Sequence, residues 1–169
     1  EGKYIDTVIE ESVFRNLRTL AHVRERTQRS SIGSTHVLQA VLDDYFPELR
    51  KIFWSVKAKG LMALLANYPF PEDVRNAGLA VITALLETTN KRKREAREKA
   101  KQIYQAATES VGLKTIGEAD RVRLAICLEE VTRSETRIKD LERAIKELLT
   151  QIPLAEYILS LPGIGPVSC

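Results

Sequence analysis

Residues 118–152 read EADRVRLAICLEEVTRSETRIKDLERAIKELLTQI, and this stretch indicates the fold class. From Ile138 onward its apolar residues recur at steps of three and four, which is the spacing of a coiled-coil heptad, while the earlier part is less regular. The other faces carry charges of both signs, as a solvated helix surface does. One such helix cannot bury its own apolar seam, so we expect a second helix to cover it, either from this chain or from another copy. We predict that the seam mediates oligomerisation through Val131, Ile138, Leu141, Ile145, Leu148 and Ile152.

A glycine turn with the sequence LPGIGP follows at 161–166. This pattern is typical of the hairpin in a helix-hairpin-helix element, where Gly163 and Gly165 permit positive φ and a close approach to a partner. The N–H groups at the start of a following helix can hold a DNA phosphate without reading its sequence. The alternative interpretation is a plain turn between two helices.

Composition places the chain among ordinary folded proteins. Of its 169 residues, 44% are hydrophobic and 29% are charged, and the net charge of +3 is too small to indicate a partner by itself. The two cysteines, Cys127 and Cys169, lie far apart, which favours a reducing, cytoplasmic compartment over a disulfide framework. No apolar run is long enough to span a bilayer, so we expect no membrane partner.

Basic residues recur at steps of three and four on the first predicted helix, from Asp6 to about Arg29. They share one face, and such a stripe can lie along a phosphate backbone. Glutamates dilute the stripe, so a solvated face is the alternative, and His22 is interpreted as part of that polar face. The arginine stripe, predicted to bind nucleic acid, consists of Arg15, Arg18, Arg26 and Arg29.

A second basic cluster opens another predicted helix, which we expect Asn90 to cap. Cations at a helix start oppose the helix dipole, so they are not there for helix stability. We therefore interpret them as phosphate contacts, the alternative being a solvated face paired with Glu95 and Glu98. This cluster, called the cationic turn below, consists of Lys91, Arg92, Lys93 and Arg94.

The rest of the chain predicts short helices. The polar run at 29–35 could break the first helix, prolines and acids at 69–73 open another helix, and Gly78 could form a corner. Phe53 and Trp54 are interpreted as core residues in preference to base-stacking residues. The fold class is therefore all-α: a core of short helices with two long helical arms, the C-terminal one a coiled coil that ends in the start of a helix-hairpin-helix turn.

Motifs for catalysis are absent from the sequence. It contains no glycine-rich phosphate loop, no paired Cys or His set with metal-ligand spacing, and no supported Ser-His-Asp arrangement. We therefore assign no catalytic residue, no metal ligand and no cofactor to this chain.

The order of several segments resembles a known family. These segments are LRTL at 17–20, LDDYFPEL at 42–49, YPFPED at 68–73, ESVG at 109–112 and LPGIGP at 161–166. Together they resemble the middle of bacterial insertion-sequence transposases of the DEDD class, which are relatives of the Piv-type DNA invertases. The resemblance covers nearly the whole chain, and the DYFPE and PGIGP segments are its most specific parts.

The resemblance implies a division of labour. In that family an N-terminal RuvC-like domain holds divalent metal, expected to be Mg²⁺, on four acidic residues, and a C-terminal domain carries a serine for strand transfer. By this match, 1–117 is a helical linker region with basic helices, 118–160 a coiled-coil helix and 161–169 the start of the C-terminal domain. The family serine should lie beyond Ser168, so that role is not transferred to Ser168.

The expected function follows from that division. The parent protein is expected to be a DNA transposase, and this chain its connecting, oligomerising and nucleic-acid-binding region. Its partners are expected to be DNA, a second copy of the chain and, as in some family members, a structured guide RNA. The alternative is a structural coiled-coil dimerisation module that binds no nucleic acid.

Overall fold

The computed structural model describes residues 11–113, 115–152 and 155. Within these ranges the chain forms helices and no strand, which confirms the all-α prediction. The first and last helices are long, with 35 and 32 residues. The helices are α1 (Glu11–Tyr45), α2 (Leu49–Ile52), α3 (Lys59–Asn67), α4 (Pro71–Thr89), α5 (Lys93–Glu109) and α6 (Glu118–Leu149).

The chain divides into two compact units. The smaller unit contains the described residues up to Ser31 together with those from Arg133 onward, and the larger unit contains Ile32–Thr132. Both α1 and α6 contribute residues to each unit, so this division does not coincide with the predicted boundary between 117 and 118. The predicted glycine turn at 161–166, with Gly163 and Gly165, lies outside the described residues.

Helix α1 continues without interruption through the polar run at 29–35, where the sequence suggested a break. Ser31 is fully buried, while a side chain added at Gly33 would meet no atom within 4 Å. A single glycine inside a helix costs only about 1 kcal/mol relative to alanine. That cost is too small to break a helix that is packed on both sides of it.

The core of the larger unit is built around aromatic residues near the end of α1 and the start of α4. Phe46 and Phe70 are fully buried, and the rings of Tyr45 and Phe70 meet edge to face at 5.4 Å. Of the aromatic residues between 45 and 70, Tyr45, Phe46, Phe53 and Phe70 are buried in this core. Helices α1, α3, α4, α5 and α6 each add apolar residues, among them Leu42, Leu64, Ile82, Ile103, Leu124 and Val131.

Trp54 corrects one sequence prediction, because its side chain is 93% exposed while its neighbour Phe53 is buried. Helix α2 ends at Ile52, and Phe53 adopts extended backbone angles of φ −116° and ψ 123°. Successive side chains of an extended backbone point to opposite sides. Burial of Phe53 therefore turns Trp54 outward, and the prediction that both belong to the core was wrong for Trp54.

Helices α4 and α5 form an antiparallel hairpin. Pro71 opens α4 with two acids in its first turn, as predicted, and Gly78 forms the predicted corner with φ +80°. The expectation that Asn90 caps α5 was wrong, since α5 begins at Lys93. Instead, Asn90 Oδ1 accepts a hydrogen bond of 2.9 Å from Arg92 N–H. This side-chain turn lets the chain reverse direction over three residues between the helices.

In the smaller unit, the end of α6 packs against the start of α1 of the same chain. Ile145, Leu149, Ile152 and Ala155 form a buried cluster that Val13, Leu17 and Leu20 cover. Leu149 is buried where the heptad pattern placed Leu148. At about 100° of rotation per residue, Leu149 lies about 40° from the buried Ile145 and Leu148 lies about 60° from it on the other side.

The remaining seam residues have other surroundings. Val131 belongs to the core of the larger unit, and Ile138, Leu141 and Leu148 are half-buried. The oligomerisation role of the seam stays a prediction, although Val131, Ile145 and Ile152 are already buried within one chain.

Candidate nucleic-acid interface

The α4–α5 hairpin is fastened along its length. At the open end, Arg75 Nη1 donates a hydrogen bond of 2.6 Å to the carbonyl oxygen of Ala107. Near the turn, Arg97 Nε and Glu87 Oε1 lie 2.7 Å apart. These contacts pair the start of one helix with the end of the other, so residues 90–94 are presented at the end of a supported hairpin.

All four residues of the cationic turn are exposed. Lys91 and Arg92 lie in the connection between the helices, and Lys93 and Arg94 begin α5. Among the described residues only Arg92 has an ion-pair partner in this group, since its Nη1 lies 2.8 Å from Glu95 Oε1. That hydrogen bond lowers the pKa of the Glu95 carboxyl and raises the pKa of Arg92. Within the described part of the chain, the other three cations of the turn are therefore uncompensated.

A groove continues from the cationic turn along the hairpin. Arg94, Arg97 and Lys101 follow one another at steps of three and four on α5, so they share a side of that helix. Leu79 and Thr83 of α4 form the facing wall, and the groove encloses about 540 Å³. Of the cations in the groove, Arg94 belongs to the predicted cluster, whereas the residues that α4 contributes were not predicted.

The groove is less positive than its cations suggest, because carboxylates accompany two of them. Arg97 pairs with Glu87, and Lys101 Nζ lies 3.3 Å from Glu98 Oε1. Of the cations in the turn and the groove, those without a carboxylate partner in the described ranges are Lys91, Lys93 and Arg94. The predicted pairing of this helix start with Glu95 applies to Arg92 alone.

The arginine stripe on α1 lies in the smaller unit. Arg15, Arg18, Arg26 and Arg29 are all exposed. At about 100° of rotation per residue, they lie opposite the side of α1 that Val13, Leu17 and Leu20 use against α6. Arg29 pairs with Glu25, while Arg15, Arg18 and Arg26 have no ion-pair partner among the described residues.

Arg24, which is not part of the arginine stripe, forms an ion pair with Glu142 of α6. Its Nε donates a hydrogen bond of 3.0 Å to Glu142 Oε1 on α6, and the guanidinium is half-buried. This ion pair sits beside the buried cluster of the smaller unit, so Arg24 holds α1 against α6 and the stripe keeps its outward position. The structure thus places the two predicted basic clusters on different units.

Metal ligands do not come together in the part of the chain that the structure describes. No group of three or more His, Cys, Asp or Glu side chains there could hold a metal ion. The resemblance places the divalent cation of DEDD transposases in an N-terminal RuvC-like domain, so it assigns these residues no part in holding it. Cys127 is buried, and desolvation, with a smaller effect of Glu130, raises the pKa of its thiol.

Comparison with known proteins gives two relatives. The chain is 31% identical over 152 residues to the 44.8 kDa protein of insertion element IS116 from Streptomyces clavuligerus, a match that covers 89% of this chain. It is also 31% identical over 122 residues to the 42 kDa protein of insertion element IS900 from Mycobacterium paratuberculosis, which covers 70% of this chain. The chain is similar to insertion-element proteins. It spans only 37% and 29% of the lengths of these two relatives.

Other comparisons add no further relation. No family model matches the chain, and no solved structure matches it. Among the described residues, none of the helices combines the length and the apolar character that crossing a membrane requires.

Proposed function

We propose that this chain is a connecting and nucleic-acid-binding region of a DNA transposase that acts in insertion-sequence transposition. The observation that carries the proposal is the cationic turn, where Lys91, Lys93 and Arg94 stand exposed at the end of a fastened hairpin without ion-pair partners among the described residues. Similarity to the IS116 and IS900 proteins supports the insertion-element context.

The position of these cations at a helix start is electrostatically unfavourable, and a bound phosphate would offset that free energy. The N-terminus of α5 carries partial positive charge, and each cation placed there is disfavoured by roughly 0.3–1 kcal/mol. A nucleic-acid phosphate reverses the sign of that interaction, because both the side chains and the N–H groups at the helix start attract it. Such contacts position a protein on a duplex without reading its sequence.

The arginine stripe is a second proposed contact. Its outward position on α1, opposite the face packed on α6, leaves a row of guanidinium groups that can follow a phosphate backbone. Arg15, Arg18 and Arg26 would supply this contact, and Arg29 would join it after release from Glu25.

The finer parts of the proposal follow the resemblance to DEDD transposases. Strand cleavage and transfer, with Mg²⁺ as the metal, are proposed for other regions of the parent protein and not for this chain. A structured guide RNA is a proposed partner beside DNA. A homo-oligomer is also proposed, for which the half-buried seam residues Ile138, Leu141 and Leu148 are available.

The proposal is tested by titrating the chain with labelled duplex DNA and with a structured RNA at several salt concentrations. Binding should weaken with salt, with a log–log slope of about −0.9 for each phosphate contacted on duplex DNA. A variant of the cationic turn, K91S/R92Q/K93S/R94Q, should bind more weakly and reduce the slope by up to about 0.9 for each phosphate that it no longer neutralises.

The matched control removes the same number of charges from an exposed part of α6, as R137Q/K139S/R143Q/K146S. It should leave both affinity and slope close to those of the unaltered chain. If both variants change the salt slope equally, binding depends only on the net charge of the chain, and the cationic turn is not a specific binding site. Salt-independent binding, or none at low salt, would favour a structural coiled-coil module. The relative affinity for the RNA decides between DNA and guide RNA as the preferred partner.

A further inference from the structure

We infer that Trp54 is a stacking surface for an unpaired nucleobase, on a segment that lines one pocket with Asn90, the residue before the cationic turn. The inference rests on the proposed function and deepens it, because it specifies single-stranded or locally unpaired nucleic acid as the form that the larger unit binds. The observation behind it is the juxtaposition of a 93% exposed tryptophan with the segments that carry the basic residues.

The exposure of Trp54 is imposed by an ordered segment. Phe53 on one side and Val56 on the other are both buried in the core of the larger unit. Before Trp54, Phe53 N–H donates a hydrogen bond of 2.9 Å to Leu49 O, and after it Ala58 N–H donates one of 3.1 Å to Ser55 O. The backbone around Trp54 is therefore held at both ends, and the indole is presented to solvent.

The Trp54 segment contacts the same part of the hairpin that carries the cationic turn. A pocket of about 160 Å³ is bounded by Phe53, by Lys59 at the start of α3, by Thr89 and Asn90 before the turn, and by Lys99. A methyl group added at Gly60 would lie 3.4 Å from both Phe53 Cε1 and Thr89 Oγ1. The residue before Trp54 and the residue before Lys91 thus line one pocket.

Basic residues flank Trp54 along the chain. Lys51, Lys57 and Lys59 flank Trp54 along the chain, and Lys51 and Lys59 are exposed. Lys99 Nζ lies 5.5 Å from the centre of the Phe53 ring, so it occupies the Phe53 side of the segment. Trp54 is thus an accessible aromatic plane with an exposed lysine three residues before it and another five residues after it.

That combination matches the chemistry of an unpaired nucleotide. Single-strand binding sites pair a positively charged track for the backbone with aromatic side chains on which bases stack, and every base offers a face for stacking. A base-paired duplex keeps its faces inside the stack, so Trp54 would gain nothing from an intact duplex. Phosphates at Lys51, Lys59 or the cationic turn and a base on Trp54 would then be held by the same unit.

The test uses the fact that Trp54 is the single tryptophan of the chain. Its fluorescence, excited selectively over that of the tyrosines, is followed while single-stranded oligothymidylate is added, and anisotropy of a labelled strand reports binding independently. Stacking should quench the emission. An abasic strand with the same number of phosphates should bind through the cations and leave the emission unchanged. Oligouridylate in a parallel titration distinguishes RNA from DNA as the source of the base.

Variants provide the second measurement. W54A should bind the single strand about 5- to 150-fold more weakly, while its binding to duplex DNA stays unchanged. W54F should restore much of the affinity, because a phenyl ring also stacks. I126A, which trims an exposed apolar residue of α6, is the matched control and should bind like the unaltered chain.

The outcomes distinguish failure of the stacking site from failure of the proposed function. Equal quenching by the abasic strand, or an unaltered single-strand affinity of W54A, overturns the stacking site. If duplex binding is still salt-dependent in that case, the proposed function is retained. Absence of binding to every nucleic acid at low salt overturns both. Because Trp54 is exposed, W54A should keep the melting temperature of the unaltered chain, so a reduced affinity reports on binding rather than on folding.

Discussion

Arg121 of α6 donates two hydrogen bonds of 3.0 Å to the carboxylate of Asp73 on α4. The same carboxylate accepts the Phe70 N–H at 3.1 Å, and the Arg121 guanidinium lies 5.1 Å from the centre of the Phe70 ring. The hydrogen bonds to Asp73 raise the pKa of Arg121. One fork-shaped contact therefore fixes the start of α4, and with it the hairpin that presents the cationic turn, against α6 within the larger unit.

Replacing the two partners should have unequal effects on the free energy of unfolding. D73A removes the acceptor of the Phe70 N–H as well as the pair, so we expect a loss of about 1–2 kcal/mol. R121A removes only the pair, whose side chains are 40% and 21% exposed, and should cost about 1 kcal/mol or less. R121K keeps the charge without the fork and should fall between R121A and the unaltered chain. Urea denaturation measures all three, and equal losses for D73A and R121A would contradict a role for Asp73 at the helix start.

Tyr45 and Asp120 predict how stability depends on pH. Tyr45 O–H donates a hydrogen bond to Asp120 Oδ1, and Gly117 N–H donates one to Asp120 Oδ2. Both bonds lower the pKa of Asp120 from its ordinary 3.8, the Tyr45 bond most, and the same bond raises the pKa of Tyr45 from its ordinary 10.0. The contribution of Asp120 is then complete above pH 3.8 and is lost as the pH falls through its lowered pKa.

Tyr45 affects stability at alkaline pH. Since its folded pKa is raised, its contribution is lost as the pH climbs above 10.0. Urea midpoints measured across pH for the unaltered chain, D120N and Y45F should show that each variant flattens the profile. D120N should flatten both ends and Y45F should flatten the alkaline end most. An unchanged alkaline limb in Y45F would contradict the assignment.

Two glycines should respond to alanine with opposite signs. A Cβ at Gly112 would lie 2.2 Å from the carbonyl oxygen of Tyr45, and backbone cannot move aside easily, so G112A should destabilise the larger unit by about 1–3 kcal/mol or more. A Cβ at Gly33, inside α1, would meet nothing within 4 Å. G33A should therefore stabilise the chain by about 0.5–1 kcal/mol through helix propensity. Thermal unfolding of the two variants compares them directly.

Substitutions in the apolar seam of α6 should affect both the stability of the chain and its mass in solution. I145A opens the buried cluster of the smaller unit and should cost about 2–5 kcal/mol there without changing the mass measured by light scattering. Serine at Ile138, Leu141 and Leu148, which are half-buried, should lower the mass if these residues hold two copies together. An unchanged mass in that triple variant, for a chain that is oligomeric, would move the interface to another surface.

Periodicity and local chemistry predicted much of this molecule. The heptad-like spacing after Glu118 identified α6, the proline and acids at 69–73 identified the start of α4, and Gly78 identified the corner. These features depend on residues close in sequence, because helix formation and turn geometry are local. The arginine stripe was equally readable, since residues at steps of three and four share a helix face wherever the helix lies. The cationic turn was readable as four consecutive basic residues.

The candidate site was less predictable than the helices. Leu79 and Thr83, which complete the groove beside Arg94, come from a different helix, and no pattern around Arg94 indicates them. Trp54 was misassigned because hydrophobicity alone favours burial, whereas the extended backbone after α2 allows only one of two adjacent aromatic side chains to enter the core.

By itself, then, the sequence determined the helices, their order and the faces that carry positive charge, since each follows from spacing within one segment. The tertiary structure decided which surfaces those faces meet. It placed α1 of the same chain over the Ile145 end of the seam, turned Trp54 to solvent, and brought its segment against the end of α4. The physical reason is that burial is a property of two segments packed together, and many partners can satisfy the same apolar pattern.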